Sequence, residues 1–131
     1  MSANLPNLGA IAFGEGDFAA ARSKFAEGMA MAQKMGNKIN ISFPLDGFAA
    51  LAARQGELEL AAQLAGAAEH LRESIGYEIE PADLRFRAVY LTELKTKMDE
   101  AAFAELYEQG RKLKLEEAVA LCLEENENAR I

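Results

Sequence analysis

Catalysis and metal binding depend on particular side chains, and this chain holds few of them. Its 131 residues include one histidine, His70, one cysteine, Cys122, and no tryptophan. A nucleophilic triad needs a histidine between the nucleophile and a carboxylate, and a structural zinc site takes four Cys or His ligands, so His70 would have to serve alone. Helical spacing places it with Glu59, Gln63, Gly66 and Glu73 on a polar face, where it reads as an exposed surface histidine. Glu69 and Glu73 stand one turn apart beside Arg72, the pattern of a solvated helix face. A di-iron bundle would need Glu-x-x-His pairs, and the sequence has none. Gly14-Glu15-Gly16 lacks the preceding strand and the Lys-Ser/Thr of a phosphate-binding loop. Cys122 lies in the apolar run Val119–Leu123 and reads as a small core residue that cannot form an intrachain disulfide. Met29 reads as core and Met31 as surface. No catalytic residue, cofactor or metal is expected.

Composition narrows the remaining classes. The net charge is −7, from 21 acidic and 14 basic residues. Phosphate backbones and anionic lipid surfaces attract Lys/Arg clusters, so neither nucleic acid nor membrane is an expected partner. The basic groups Arg85, Arg87, Lys95 and Lys97, then Arg111, Lys112 and Lys114, are diluted by neighbouring acids and read mainly as solvated helix faces. The sequence shows neither a signal-like N-terminus nor an apolar stretch of membrane-spanning length, and a cytoplasmic setting is expected.

Carriers for these side chains must be helical. Alanine occurs 26 times, glutamate 17 and leucine 16, whereas Val, Ile and Thr together occur 10 times. Strong helix formers dominate and strand formers are scarce, which predicts an all-α domain. Glycines and prolines divide the chain into helical hairpins over residues 5–36, 42–76 and 81–110, followed by a closing helix over 115–124 and a polar tail. Asp17 and Asp99 are positioned to cap the second and sixth helices, and Ser42 to cap the third, with Pro44 in its first turn. The fifth helix is expected to bury Leu84, Leu91, Leu94 and Met98.

The first two hairpins repeat. Gly16-Asp17 and Gly56-Glu57 are 40 residues apart, and the same offset relates Ala12 to Ala52 and Ala21 to Ala61. Small residues allow two helices to approach, glycine permits a tight turn, and an acid at the next helix start meets its positive dipole end. The set Leu8-Gly9, Ala12, Gly16-Asp17, Ala21 and Phe25 resembles a tetratricopeptide repeat. Its period exceeds the usual length of about 34 residues and resembles the elongated repeats of MalT-like bacterial regulators. Gly66-Ala67-Ala68-Glu69-His70-Leu71-Arg72-Glu73-Ser74-Ile75-Gly76 is similar to a segment in the C-terminal repeat region of bacterial ATPase-linked transcriptional regulators and nucleotide cyclases. Ala102-Phe103 through Gly110 and Leu115-Glu116-Glu117-Ala118-Val119 resemble the closing helices of that region. The resemblance spans roughly Leu5 to Leu123. It departs from the pattern at Leu5 and Leu45, where a bulky aromatic is common, and at Lys114, where Ser or Thr is usual.

The resemblance implies a short solenoid of three hairpins plus a closing helix, working as a non-enzymatic protein-interaction module. No ATPase, cyclase or DNA-binding segment is present to carry over. The concave groove of such an array would be lined by Ala10, Phe13, Ala50, Arg54, Arg85, Thr92 and Lys95, with Phe13 as apolar anchor and the cations meeting acidic groups of a protein or peptide partner. The Lys/Asn carboxylate clamp of chaperone-binding relatives is missing. Two other readings remain: a self-associating end segment of a larger regulator, and a small-ligand-binding helical bundle. For self-association, solenoids need polar end caps. Glu116, Glu117 and Glu124 provide one at the C-terminal end. The first helix carries Leu5, Leu8 and Ile11 and has no comparable cover, which predicts a homodimer through that face.

Overall fold

The computed structural model describes the backbone of residues 5–130 and the side chains of residues 7–123. Among the described residues it is all-helical, with α1 (Leu5–Gly14), α2 (Phe18–Met35), α3 (Ile39–Arg54), α4 (Leu58–Ile75), α5 (Pro81–Lys97), α6 (Glu100–Arg111) and α7 (Leu115–Arg130). No described helix is long and apolar enough to cross a membrane.

The turns follow the sequence offset. Gly16 and Gly56 both have φ of 82°, and Gly36 and Gly76 have 67° and 68°, a left-handed conformation that glycine adopts without a Cβ clash. Matching hydrogen bonds close the first pair: Asp17 N donates to the Ala12 carbonyl and Glu57 N to the Ala52 carbonyl, both at 2.9 Å. The Asp17 and Asp99 carboxylates cap α2 and α6 by accepting from Ala20 N and Ala102 N. The α5–α6 turn at Met98 manages without a left-handed residue. At Lys114, Glu117 reaches back to accept the backbone N–H at 2.8 Å, a bond that replaces the missing Ser/Thr cap from the other side of the turn.

Three local expectations are corrected. The third helix begins at Ile39, not Ser42, because the Asn37 side chain accepts from Asn40 N and starts the turn earlier. Ser42 lies inside the helix with its hydroxyl donating to the Ile39 carbonyl, and Pro44 is an interior residue. The closing helix continues beyond Glu124 to Arg130. On α5, Leu94 is buried and Leu91 and Met98 are partly so, but Leu84 is 51% exposed. Arg87 and Tyr90 take the inner positions instead, turned toward a buried carboxylate on α3.

α3 is the centre of the fold. Every residue from Ile41 to Ala53 is buried, the behaviour of a helix that is apolar all round. It packs along α2 and α4 and is crossed by α1, α5 and α7. The Phe25 ring anchors the core beneath it, with ring centroids of Phe43, Phe48 and Phe86 at 6.1, 6.4 and 6.3 Å. Ala21, Ala61 and Met29 are fully buried and Met31 is exposed, as expected. α6 meets α4 where Gly66 and Gly110 bring the two backbones together, while α7 returns across α2, α3 and α4.

Cys122 is completely buried, and burial pushes its thiol far above the ordinary range. A thiol reagent such as DTNB should leave it untouched in the native protein and modify one equivalent after denaturation, since the reactive species is the thiolate. Rapid reaction without denaturant would contradict this placement.

Candidate functional site

The residues expected to line a concave groove do not form one open surface. Phe13 on α1 meets Phe86 on α5 at 5.6 Å between ring centroids, closing over α3. Ala50 on α3 is 0% exposed and Phe13 is buried, so neither presents a face to a partner. An Ala-rich helix with no polar side has to be covered on every side, and α1 and α5 provide that cover.

Arg54 is exposed at the rim but engaged. Its Nε donates to Glu93 Oε2 at 2.8 Å and its Nη2 to Glu93 Oε1 at 2.6 Å, while its guanidinium lies 4.9 Å from the Phe13 ring centroid. These bonds raise the Arg54 pKa and lower that of Glu93. Lys95 stands elsewhere. A helix turns about 100° per residue, so Lys95 points about 200° away from Glu93, and its Nζ sits 5.5 Å from the Phe103 ring centroid on α6. Arg85 and Thr92 are exposed on α5, where the Thr92 hydroxyl donates to the Ala88 carbonyl. The acidic-partner groove of Phe13, Ala50, Arg54, Arg85, Thr92 and Lys95 is therefore corrected in this respect: Phe13 and Ala50 are buried, and Arg54 and Lys95 face different neighbours, the Phe13 and Phe103 rings.

A polar centre that sequence reasoning missed lies under this surface. Asp46 on α3 is 0% exposed. One of its carboxylate oxygens accepts from Arg87 Nη1 at 2.6 Å and from the Tyr90 hydroxyl; the other accepts from Arg72 Nη2. Arg87 Nη2 also donates to the Tyr107 hydroxyl at 2.6 Å, with Glu69 at 3.5 Å. Burial, and next the charge of Asp46, raises the Tyr90 pKa well above its usual value, so the phenol remains a donor. The network ties α3, α4, α5 and α6 together. Its signal was Asp46 itself, the one charged residue in the run Ile41–Ala53, since a charge there requires buried partners. Arg72 Nε is buried with no hydrogen-bond partner among the described residues.

The surface offers two other features. A cleft of about 610 Å³ opens between α5 and α6, lined by Lys95, Glu100, Phe103, Ala104, Tyr107 and Glu108. On α1, Leu8 is 46% and Ile11 59% exposed, while the Leu5 side chain lies outside the described residues. His70 is exposed, and Glu116 and Glu117 point to solvent; the Glu124 side chain lies outside the described residues. Among the described residues, no group of three or more His, Cys, Asp or Glu side chains is placed to hold a metal ion. Comparison with protein-family models, with curated proteins and with solved structures finds no match for this chain.

Proposed function

We propose that this chain is a non-enzymatic protein-interaction module, a short tetratricopeptide-like solenoid whose partner is a helix of a second copy. The observation that carries the reading is an equivalence between α1 and α3. At the offset of 40 residues, Leu8 corresponds to Phe48 and Ile11 to Leu51. Phe48 and Leu51 are buried, Phe48 against Phe25 of the preceding hairpin, whereas Leu8 and Ile11 are exposed. α1 thus presents Leu8 and Ile11 as an exposed apolar docking face. The complementary seat is the α5–α6 cleft. It lies on the side of α5 turned away from Glu93 and α3, and Phe103 and Tyr107 give it an aromatic floor. Pairing the two faces is heterologous, so association is head to tail. The lone thiol suits a reducing, cytoplasmic setting.

Sedimentation equilibrium tests this reading with two variants. Leu8→Glu/Ile11→Glu removes the donor face, and Ala104→Trp fills the cleft. Each alone should weaken self-association at least tenfold, and an equimolar mixture should recover a dimer, because each variant keeps the face the other lacks. A strictly monomeric parent at high concentration would end the proposal. Loss with the α1 variant but not with Ala104→Trp would instead indicate two α1 faces paired about a two-fold axis.

A further inference from the structure

The α3 start, the middle of α4 and the α6–α7 turn enclose a cavity of about 270 Å³ whose charge is opposite to that of the protein. Lys38, Lys112 and Lys114 reach it from the α3 and α7 ends, and His70 faces it from α4. Among the described residues no Asp or Glu lines it, although the chain carries 21 acids against 14 bases. Two acids of α4 near it act elsewhere: Glu73 pairs with Arg111 at 2.6 Å and Glu69 approaches Arg87. Glu117 is committed to the Lys114 backbone N–H. Among the described residues, none of the three lysines enters an ion pair.

Apart from Ser74, whose hydroxyl donates to the Leu71 carbonyl at 2.8 Å, the remaining wall is apolar. Ala67, Leu71 and Ala118 are buried, and Leu113 and Leu115 are partly buried against the core. Like charges around an apolar hollow repel one another, a small cost for exposed groups. An anion on the rim with a short hydrocarbon body below would reverse that cost. The anionic head would meet the lysine ammonium groups, and the body would leave water against Leu71 and Leu115. Lysines bind such a head as mobile point charges, without the fixed fork of arginine, so the site does not demand one head geometry.

We propose that this cavity binds a small amphipathic anion, a carboxylate or phosphate ester bearing a short aliphatic chain. The site is separate from the α5–α6 cleft and independent of self-association.

Isothermal titration calorimetry and a histidine-detected NMR titration test it, with hexanoate, hexyl phosphate, inorganic phosphate and hexylamine as probes. Hexanoate or hexyl phosphate should bind with submillimolar Kd and move the His70 ring resonances. Inorganic phosphate should bind at least tenfold more weakly for want of the apolar body, and hexylamine should not bind. Comparing the two hexyl anions identifies the preferred head. Lys112→Glu/Lys114→Glu should weaken the better probe at least tenfold. Lys24→Glu/Lys34→Glu, on α2 and outside the cavity lining, should leave it unchanged. Leu71→Ala can destabilise the fold; Leu115→Ser therefore tests the apolar wall, with circular dichroism confirming folding. Absence of binding by both hexyl anions at millimolar concentration would overturn the proposal. So would equal binding of hexylamine, or retention of full affinity by Lys112→Glu/Lys114→Glu.

Discussion

Asp46→Ala should destabilise the protein by about 3–5 kcal/mol, the range found when one member of a buried ion pair is removed. The loss comes less from the vanished attraction than from what remains. Arg72 and Arg87 are 6% and 7% exposed, so two guanidinium groups would stay in a low-dielectric interior without their shared acceptor. Arg87 would keep Tyr107 and the longer contact to Glu69, but Arg72 has no other described side-chain acceptor. Against a typical total stability of about 5–15 kcal/mol, such a loss is a large fraction. Urea denaturation followed by circular dichroism will measure it as a lowered midpoint. A combined replacement of Asp46, Arg72 and Arg87 by leucine and two methionines should recover much of the loss, since an apolar set of similar volume carries no desolvation penalty. A single variant as stable as the parent would show that the network contributes little to holding the four helices together.

Gly110→Ala should be strongly disruptive for a single added methyl. A Cβ at Gly110 would fall 1.9 Å from the Gln63 carbonyl oxygen, and one at Gly66 would fall 2.1 Å from the Tyr107 carbonyl oxygen. Both obstacles are backbone, so no rotamer change relieves them, and α4 and α6 must separate. Separation also pulls on the Gln63–Gln109 and Glu73–Arg111 bonds that bracket the crossing. Alanine favours the helical backbone by roughly 0.5–1 kcal/mol over glycine. Overpacking commonly costs about 1–3 kcal/mol, and a backbone clash belongs at or above the top of that range. The steric effect therefore wins. Gly14→Ala is the control: nothing lies within 4 Å of a Cβ there, so it should be neutral or slightly stabilising. Thermal melts of the two variants should move in opposite directions or differ by several degrees. Equal melting temperatures would contradict the close crossing.

Much of the local structure was legible in the chain. Helix positions followed from alanine, leucine and glutamate periodicity, because propensity and amphipathic spacing act over a few residues. The glycine turns and the Asp17 and Asp99 caps were legible for the same reason: each depends on atoms within about four positions. Where a boundary was misread, at Ser42, two local caps competed and Asn37 acted first. Leu84 was assigned to the core because a leucine at helical spacing normally belongs there, but α5 turns Arg87 and Tyr90 inward.

The sequence by itself determined that the domain is helical, where its turns fall, and that its chemistry-bearing side chains are few. Only the tertiary structure decided which faces meet. Phe13 and Phe86, more than 70 positions apart in the chain, meet ring to ring, and Phe13 and Ala50 of the expected groove are buried. Asp46 collects Arg72, Arg87 and Tyr90 from two later helices, and Lys38 joins Lys112 and Lys114 around one cavity. Periodicity shows which side of a helix is apolar but not which neighbour covers it. That choice rests on distant contacts whose combined burial and charge pairing outweigh local preference, and those contacts exist only once the chain has packed.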